Sequence, residues 1–263
     1  MHISWLGLSA FKLETKNAVL VVDPYGPSVA PRPLRAKADI VTVSNPGSPV
    51  HGHLEGILGA PFVIDHPGEF EVKEVFIQGI SAGSRESGGV PLGHPAESRG
   101  DSLGTPALRN FKEIPKGTPG VGSRAPTSEG RRVPTPDTPH ATPATLFTFD
   151  SEDLRLAHVG DLRTVPSDDT LEKIGEVDVL FLPVGGGDTL DAEDAMRVVN
   201  AIEPRIVVPM HFRQEGWKAT EKFLPVAAFL REIGASKIDP VERFSIKKRD
   251  VSGEETSVVL FSA

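Results

Sequence analysis

Short apolar runs separated by Gly, Pro, Asn and Asp dominate the first part of the chain. Residues 2–5, 10–14, 18–23, 40–44, 62–65 and 71–80 are each rich in Val, Ile and Phe over a strand-length stretch, which predicts strands. Lys16-Asn17 falls between two of these runs and predicts a hairpin turn. The links are too short for helical crossovers, so antiparallel pairing is expected. In the last part of the chain the pattern changes to an alternation of strands and helices. Residues 145–149 and 154–158 predict strands on either side of a turn at 150–153. A helix follows Ser167 as its expected N-cap. Residues 177–183 and 205–209 are almost continuously apolar, the pattern of strands buried on both faces. Between them, Ala192, Ala195, Met196, Val199 and Ile202 recur at helical spacing behind an acidic first turn. A further helix is expected over 221–233, with strands again from 241. Helices packed outside two sheets satisfy both halves.

Between the halves the composition shifts abruptly. Residues 82–144 carry ten Pro and ten Gly, with Phe111 as the only aromatic, and no hydrophobic period persists. Such a segment buries too little apolar surface to offset its ordering entropy, so a disordered insertion is expected within one domain made of residues 1–81 and 145–263. A surface loop, a lid and a compensated frameshift in the source sequence all remain open for it. A net charge of −8 argues against nucleic-acid binding, which needs clustered Lys and Arg. The chain has no cysteine, which excludes disulfides and thiolate metal sites. The N-terminus has no charged leader pattern and no run is long enough to span a bilayer. A cytoplasmic protein without membrane partners is therefore expected, with homo-oligomerisation left open.

Two of the expected buried strands end on side chains that can hold a metal. One reads Leu156-Ala157-His158-Val159-Gly160-Asp161 and the other Ile206-Val207-Val208-Pro209-Met210-His211. Strand-end loops are where a rigid scaffold presents chemistry. Zinc hydrolysis needs three or four His or carboxylate ligands and an open position for water, and two-metal sites add a shared carboxylate. Asp161 has the chemistry of a bridge and His211 that of a terminal ligand. The glycine run Gly185-Gly186-Gly187-Asp188 is a weak phosphate-loop signal, because no Lys and Ser/Thr follow it.

Trp5-Leu6-Gly7-Leu8-Ser9-Ala10-Phe11, Val22-Asp23-Pro24-Tyr25 and the run from Ala38 to Ser44 continue in order through Pro67-Gly68-Glu69-Phe70-Glu71-Val72, His158-Val159-Gly160-Asp161, Val184-Gly185-Gly186 and Pro209-Met210-His211. In this order and spacing the chain resembles the metallo-β-lactamase family, in particular the branch similar to L-ascorbate-6-phosphate lactonase. The resemblance covers everything but the insertion. It implies an α/β (α+β) fold, the four-layer αββα sandwich, and metal-dependent hydrolysis of an ester, lactone or phosphoester with zinc or manganese. By the same resemblance Asp161 is the bridging carboxylate, His211 a ligand of the second metal, and Asp23 a residue that orients backbone near the metal loop.

The chain departs from the family where the chemistry is densest. The signature His-x-His-x-Asp-His should follow Ser44, and Asn45-Pro46-Gly47-Ser48-Pro49-Val50 stands there instead. With one residue gained in the loop, His51 falls where the last histidine of the signature belongs. His53 and Glu55 mimic the signature's spacing six residues too far along. Leu8 and Ala10 replace residues that are often His and Cys, and no histidine follows Ile80 closely. His94 and His140 lie inside the insertion. The expected ligand set is therefore Asp161, His211 and His51, holding one weakly bound ion or none, with the first metal site lost. His158 is expected to be structural, and His66, in a turn, structural or solvent-facing. A hydrolase of small-molecule substrates with a reduced centre, a non-catalytic binding or scaffold protein on the same fold, and an active parent with a corrupted sequence all fit this pattern.

Overall fold

A computed structural model describes residues 1–82, 144–235, 237–253 and 255–262. The expected insertion over 82–144 lies, apart from its two end residues, outside the described residues. The strands in chain order are β1 (His2–Gly7), β2 (Ala10–Glu14), β3 (Val19–Val22), β4 (Ala36–Lys37), β5 (Ile40–Thr42), β6 (Ile57–Leu58), β7 (Phe62–Ile64), β8 (Gly68–Val72), β9 (Val75–Ser81), β10 (Thr145–Ser151), β11 (Leu154–His158), β12 (Val179–Pro183), β13 (Ile206–Met210), β14 (Phe244–Ser245) and β15 (Ser257–Val258). Three α-helices accompany them among the described residues: α1 (Asp168–Ile174), α2 (Ala192–Ile202) and α3 (Ala227–Glu232). The first sheet has the order β14-β1-β2-β3-β5-β7, the second β15-β13-β12-β11-β10-β9-β8, and β4 pairs with β6.

Aromatic side chains fill the space between the sheets. Phe11 of β2 meets Phe181 of β12 at 4.5 Å between ring centroids, and both are fully buried together with Phe147 and Phe149. Strands β11, β12 and β13 run parallel, with α1 and α2 as their crossovers. Successive right-handed crossovers in one direction along a sheet place their helices on one face, here the face away from the first sheet. The outer face of the first sheet has a different cover. Leu8, Ala10, Val21, Val41 and Val43 pack there against Tyr25, Leu34 and Trp217. Segments 24–38 and 44–58 form this layer together with Trp217, and neither segment contains a helix. No helix of the described residues is long and apolar enough to cross a membrane.

Several local expectations are corrected. The run 71–80 is two strands, because Lys73-Glu74 turns the chain with φ of 50° and 62°. Two successive left-handed residues match the twist of a hairpin, and Glu152-Asp153 does the same between β10 and β11 at 56° and 63°. Pairing in the first sheet is mixed, since β3–β5 and β5–β7 are parallel. Segments 23–39 and 43–61 make these crossovers without a helix. The helix expected over 221–233 shrinks to α3, because Pro225 lacks an N–H and pushes Leu224 out of the helical region. Ser167 occupies the N-cap position of α1, but its hydroxyl meets Thr170 Oγ1 at 3.1 Å and caps no backbone N–H.

The cap of α2 does form: Asp191 Oδ1 accepts from Asp194 N at 2.9 Å. An Asp191→Ala variant is expected to lose about 1 kcal/mol, the usual contribution of an N-cap, read as a lowered urea midpoint with an unchanged slope.

Candidate metal centre

Three strand ends meet at one edge of the sandwich. Strands β5, β11 and β13 deliver their carboxyl ends there, and a backbone bond from Thr145 N to Ser44 O at 2.8 Å ties the two sheets together beside them. The loop after β5 carries His51, the turn after β11 carries Asp161, and the residue after β13 is His211. One ligand atom from each lies within 4.8 Å of the others. Leu8, Asn45, Ser48, Arg163, Asp188 and Lys222 are among the residues that share with them a cleft of about 240 Å³.

His51 is the most firmly held member. Its Nδ1 lies 2.9 Å from Asp23 Oδ2 and 3.0 Å from Ser9 Oγ. Asp23 in turn accepts from Ser44 N and Ser44 Oγ, both at 2.7 Å. Asp23 is fully buried, and burial alone raises a carboxyl pKa. The charge and hydrogen bond of His51 outweigh this and hold Asp23 below the usual carboxylate range. The same pairing works on His51, where burial opposes the charged form but Asp23, its hydrogen bond and Asp161 together raise the imidazole above its ordinary value. A carboxylate on Nδ1 keeps the proton there and turns Nε2 outward as a lone-pair donor.

His211 is the opposite case. Neither of its ring nitrogens has a hydrogen-bond partner among the described residues, and Nδ1 is fully buried. Burial first, and the charge on His51 second, push its pKa down to about 3. It is therefore a neutral imidazole whose bonding capacity the protein leaves unused, an arrangement that needs a reason in a folded chain. Its ring packs edge-on against Phe223 at 4.6 Å and lies 5.5 Å from the His51 ring. Backbone holds it in place: His211 N donates to Leu8 O at 3.1 Å, while Leu8 N donates to Gln214 Oε1 at 3.0 Å. Leu8, Asp23 and His211 all have positive φ, at 54°, 49° and 55°. Left-handed backbone at side chains other than Gly is uncommon, and such positions cluster where function over-determines them.

Asp161 follows Gly160, whose φ of 55° and closeness to Ser44 (2.6 Å from an added Cβ to the serine's Cβ) leave no room for a side chain. Asp161 Oδ2 accepts from Arg163 Nη2 at 2.9 Å. Two imidazole nitrogens and a carboxylate oxygen form a donor set that suits Zn²⁺ or a similar divalent ion, and the unpartnered His211 ring fits that use.

The other candidates lie elsewhere. His158 is fully satisfied, with Nε2 at 2.9 Å from Ser9 O and Nδ1 accepting from Gly160 N at 3.2 Å. His53 Nε2 lies 3.6 Å from Glu55, outside the cluster. His66 is exposed beside Asp65, and His94 and His140 lie outside the described residues. In the glycine run Gly185 packs tightly against backbone, where an added Cβ would stand 2.2 Å from His211 O. Ser9, Arg163 and Lys222 were not identifiable as site residues from the sequence. Ser9 backs His51 from the turn between β1 and β2, Arg163 reaches the cleft from the turn that carries Asp161, and Lys222 lines it from the segment after β13.

A family model described as a beta-lactamase superfamily domain matches residues 2–96 and 121–211. A UPF0173 protein of Pyrococcus abyssi is 27% identical over 225 residues, 85% of this chain and 89% of the relative. A UPF0173 metal-dependent hydrolase of Alkaliphilus metalliredigens is 27% identical over 219 residues, 81% of this chain and 85% of the relative. Among solved structures, a candidate Zn-dependent hydrolase of the metallo-beta-lactamase superfamily from Thermotoga maritima superposes with a TM-score of 0.67 at 23% identity, covering 99% of this chain and 97% of the other. With the family model matched over most of its length, and with this sandwich, the chain belongs to the metallo-β-lactamase superfamily.

Proposed function

We propose that this protein is a metal-dependent hydrolase with a single-ion centre on His51, Asp161 and His211, acting on a small ester, lactone or phosphoester. The observation that carries this is the meeting of three ligand atoms from three separate strand ends, two of them on histidines with a free ring nitrogen. The name and similarity of the Alkaliphilus relative support the same activity. An ion held there would act as a Lewis acid and bring the pKa of a water close to neutrality. The residues do the rest. Asp23 holds the His51 proton on Nδ1 and orients the ring, Ser44 fixes Asp23, and the Leu8 carbonyl sets the direction of His211 through its backbone N–H. Asn45 and Ser48 line the cleft with neutral donors and acceptors, where they can orient a substrate.

Asn45 and Gly47 at the positions of the missing histidines favour a second reading, a binding or scaffold protein that keeps the sandwich without turnover. Metal content separates the two. After dialysis against trace zinc and manganese, inductively coupled plasma mass spectrometry is expected to find about one ion per chain, and the loaded protein is expected to cleave a member of a lactone and phosphoester panel. A folded protein that retains no ion supports the scaffold.

A further inference from the structure

By resemblance Asp161 bridges two ions, yet the chain lacks the histidines that would hold the first of them. A side chain meets that carboxylate instead, through the 2.9 Å bond from Arg163 Nη2. The Asp161 side chain is only 10% exposed, whereas that of Arg163 is 61% exposed. The guanidinium therefore caps the carboxylate from the solvent side, and both residues line the cleft with His51 and His211.

A guanidinium has five N–H donors in a planar fork. The bond to Asp161 uses one, and the others have no partner among the described residues. The second cation of the cleft, Lys222, is compensated by Asp188, which is outside the ligand cluster. The charge balance is then simple. Asp23 and Asp161 together neutralise one divalent ion, the imidazoles are neutral when ligating, and Arg163 leaves the loaded centre with one positive charge. That charge, on a fork with free donors, is suited to an oxyanion.

We propose, resting on the single-ion centre above, that Arg163 takes the place of a second ion. It holds the outward oxygen of Asp161, restricts the centre to one divalent ion and offers its free donors to an oxyanion group of the substrate, a carboxylate or phosphate.

Calorimetric titration of zinc into metal-free wild type, Arg163→Met and Arg163→Lys tests the first part. Wild type is expected to take one ion. Arg163→Met is expected to bind zinc about tenfold more tightly, because a like charge has been removed from beside the ion, and Arg163→Lys to stay within about threefold of wild type. Inorganic phosphate titrated into the same metal-free proteins tests the second part, with weak binding expected in wild type and Arg163→Lys and none in Arg163→Met. Two ions on wild type, or identical zinc affinities in wild type and Arg163→Met, would overturn Arg163 as the second cation. Equal phosphate binding by all three proteins would overturn the oxyanion role. A wild type that takes no zinc defeats the single-ion centre, and the phosphate arm then decides on Arg163 separately. Circular dichroism melts show whether the variants are folded, which is expected since Arg163 makes no other bond among the described residues.

Discussion

Metal retention is expected to disappear when His211 is replaced by alanine. The cluster offers three protein ligands, the fewest that hold a catalytic ion with an open position, and the variant leaves two. Loss of a mere outer partner of a ligand costs about 10–100-fold in metal affinity, so loss of a ligand should exceed that and leave no stoichiometric ion after dialysis. The backbone complicates the choice of residue. At a φ of 55° histidine and asparagine are tolerated better than alanine, so alanine also loosens the turn. Asn tolerates the left-handed region, and His211→Asn therefore separates the two effects. Both variants should lose the ion, and the asparagine form should keep the wild-type melting temperature more closely. One ion per chain retained by both variants would place the metal elsewhere.

The second large effect is expected at Asp23, which need not touch the ion. Asp23→Asn keeps the shape and the left-handed backbone but puts an N–H₂ where the carboxylate met His51. A carboxylate accepts from Nδ1–H, whereas an amide nitrogen donates and demands a lone pair on Nδ1. The His51 proton then moves to Nε2, the nitrogen that would ligate. Metal affinity is expected to fall about 10–100-fold with the fold preserved, measured by zinc titration and by the near-ultraviolet spectrum. Unchanged affinity would mean that His51 is not a ligand.

The same network sets an expected pH dependence for the metal-free protein. His51 has a raised folded pKa, so its contribution is complete below about 6.5, the unfolded value, and is lost as pH rises through the folded pKa. His211, pushed down to about 3, and His158, also lowered, act in the opposite sense. They take up protons more readily in the unfolded chain, and stability therefore falls as pH drops below about 6.5. Asp23, with a lowered pKa, adds stability that is lost only on acidification past about 4. Urea midpoints should thus peak near pH 6.5, and Asp23→Asn should flatten the alkaline side and also remove the loss below about pH 4 that Asp23 itself supplies.

Much of this was legible along the chain. Apolar periodicity placed the strands from β1 to β3 and from β10 to β13 within a residue or two, and the α2 helix, because each depends on neighbours in sequence; that Asp191 caps α2 rather than sitting in its first turn came from the structure. The hairpin at Lys73-Glu74 was missed since it lacks the usual Asn-Gly or Asp-Gly. The parallel pairing of β3, β5 and β7 was missed because long irregular connections carry no signal of direction.

Residue identity and strand-end position nominated Asp161 and His211, while the resemblance to the family nominated His51 and marked Asn45 and Gly47 as positions without an imidazole. Local chemistry determines what a side chain can bind, and no fold changes that. Tertiary structure decided which of the nominees meet: it brought His51 rather than His53 to the cluster, and it gave His158 to the backbone of Ser9 in the β1–β2 turn and of Gly160. It also placed Ser9 and Asp23 behind His51 and Arg163 over Asp161. Ser9 lies 42 residues from His51 in sequence and His158 149 from its partner Ser9. Contacts over such separations arise from the register of strands and the stacking of two sheets, for which a single sequence carries no periodic signal.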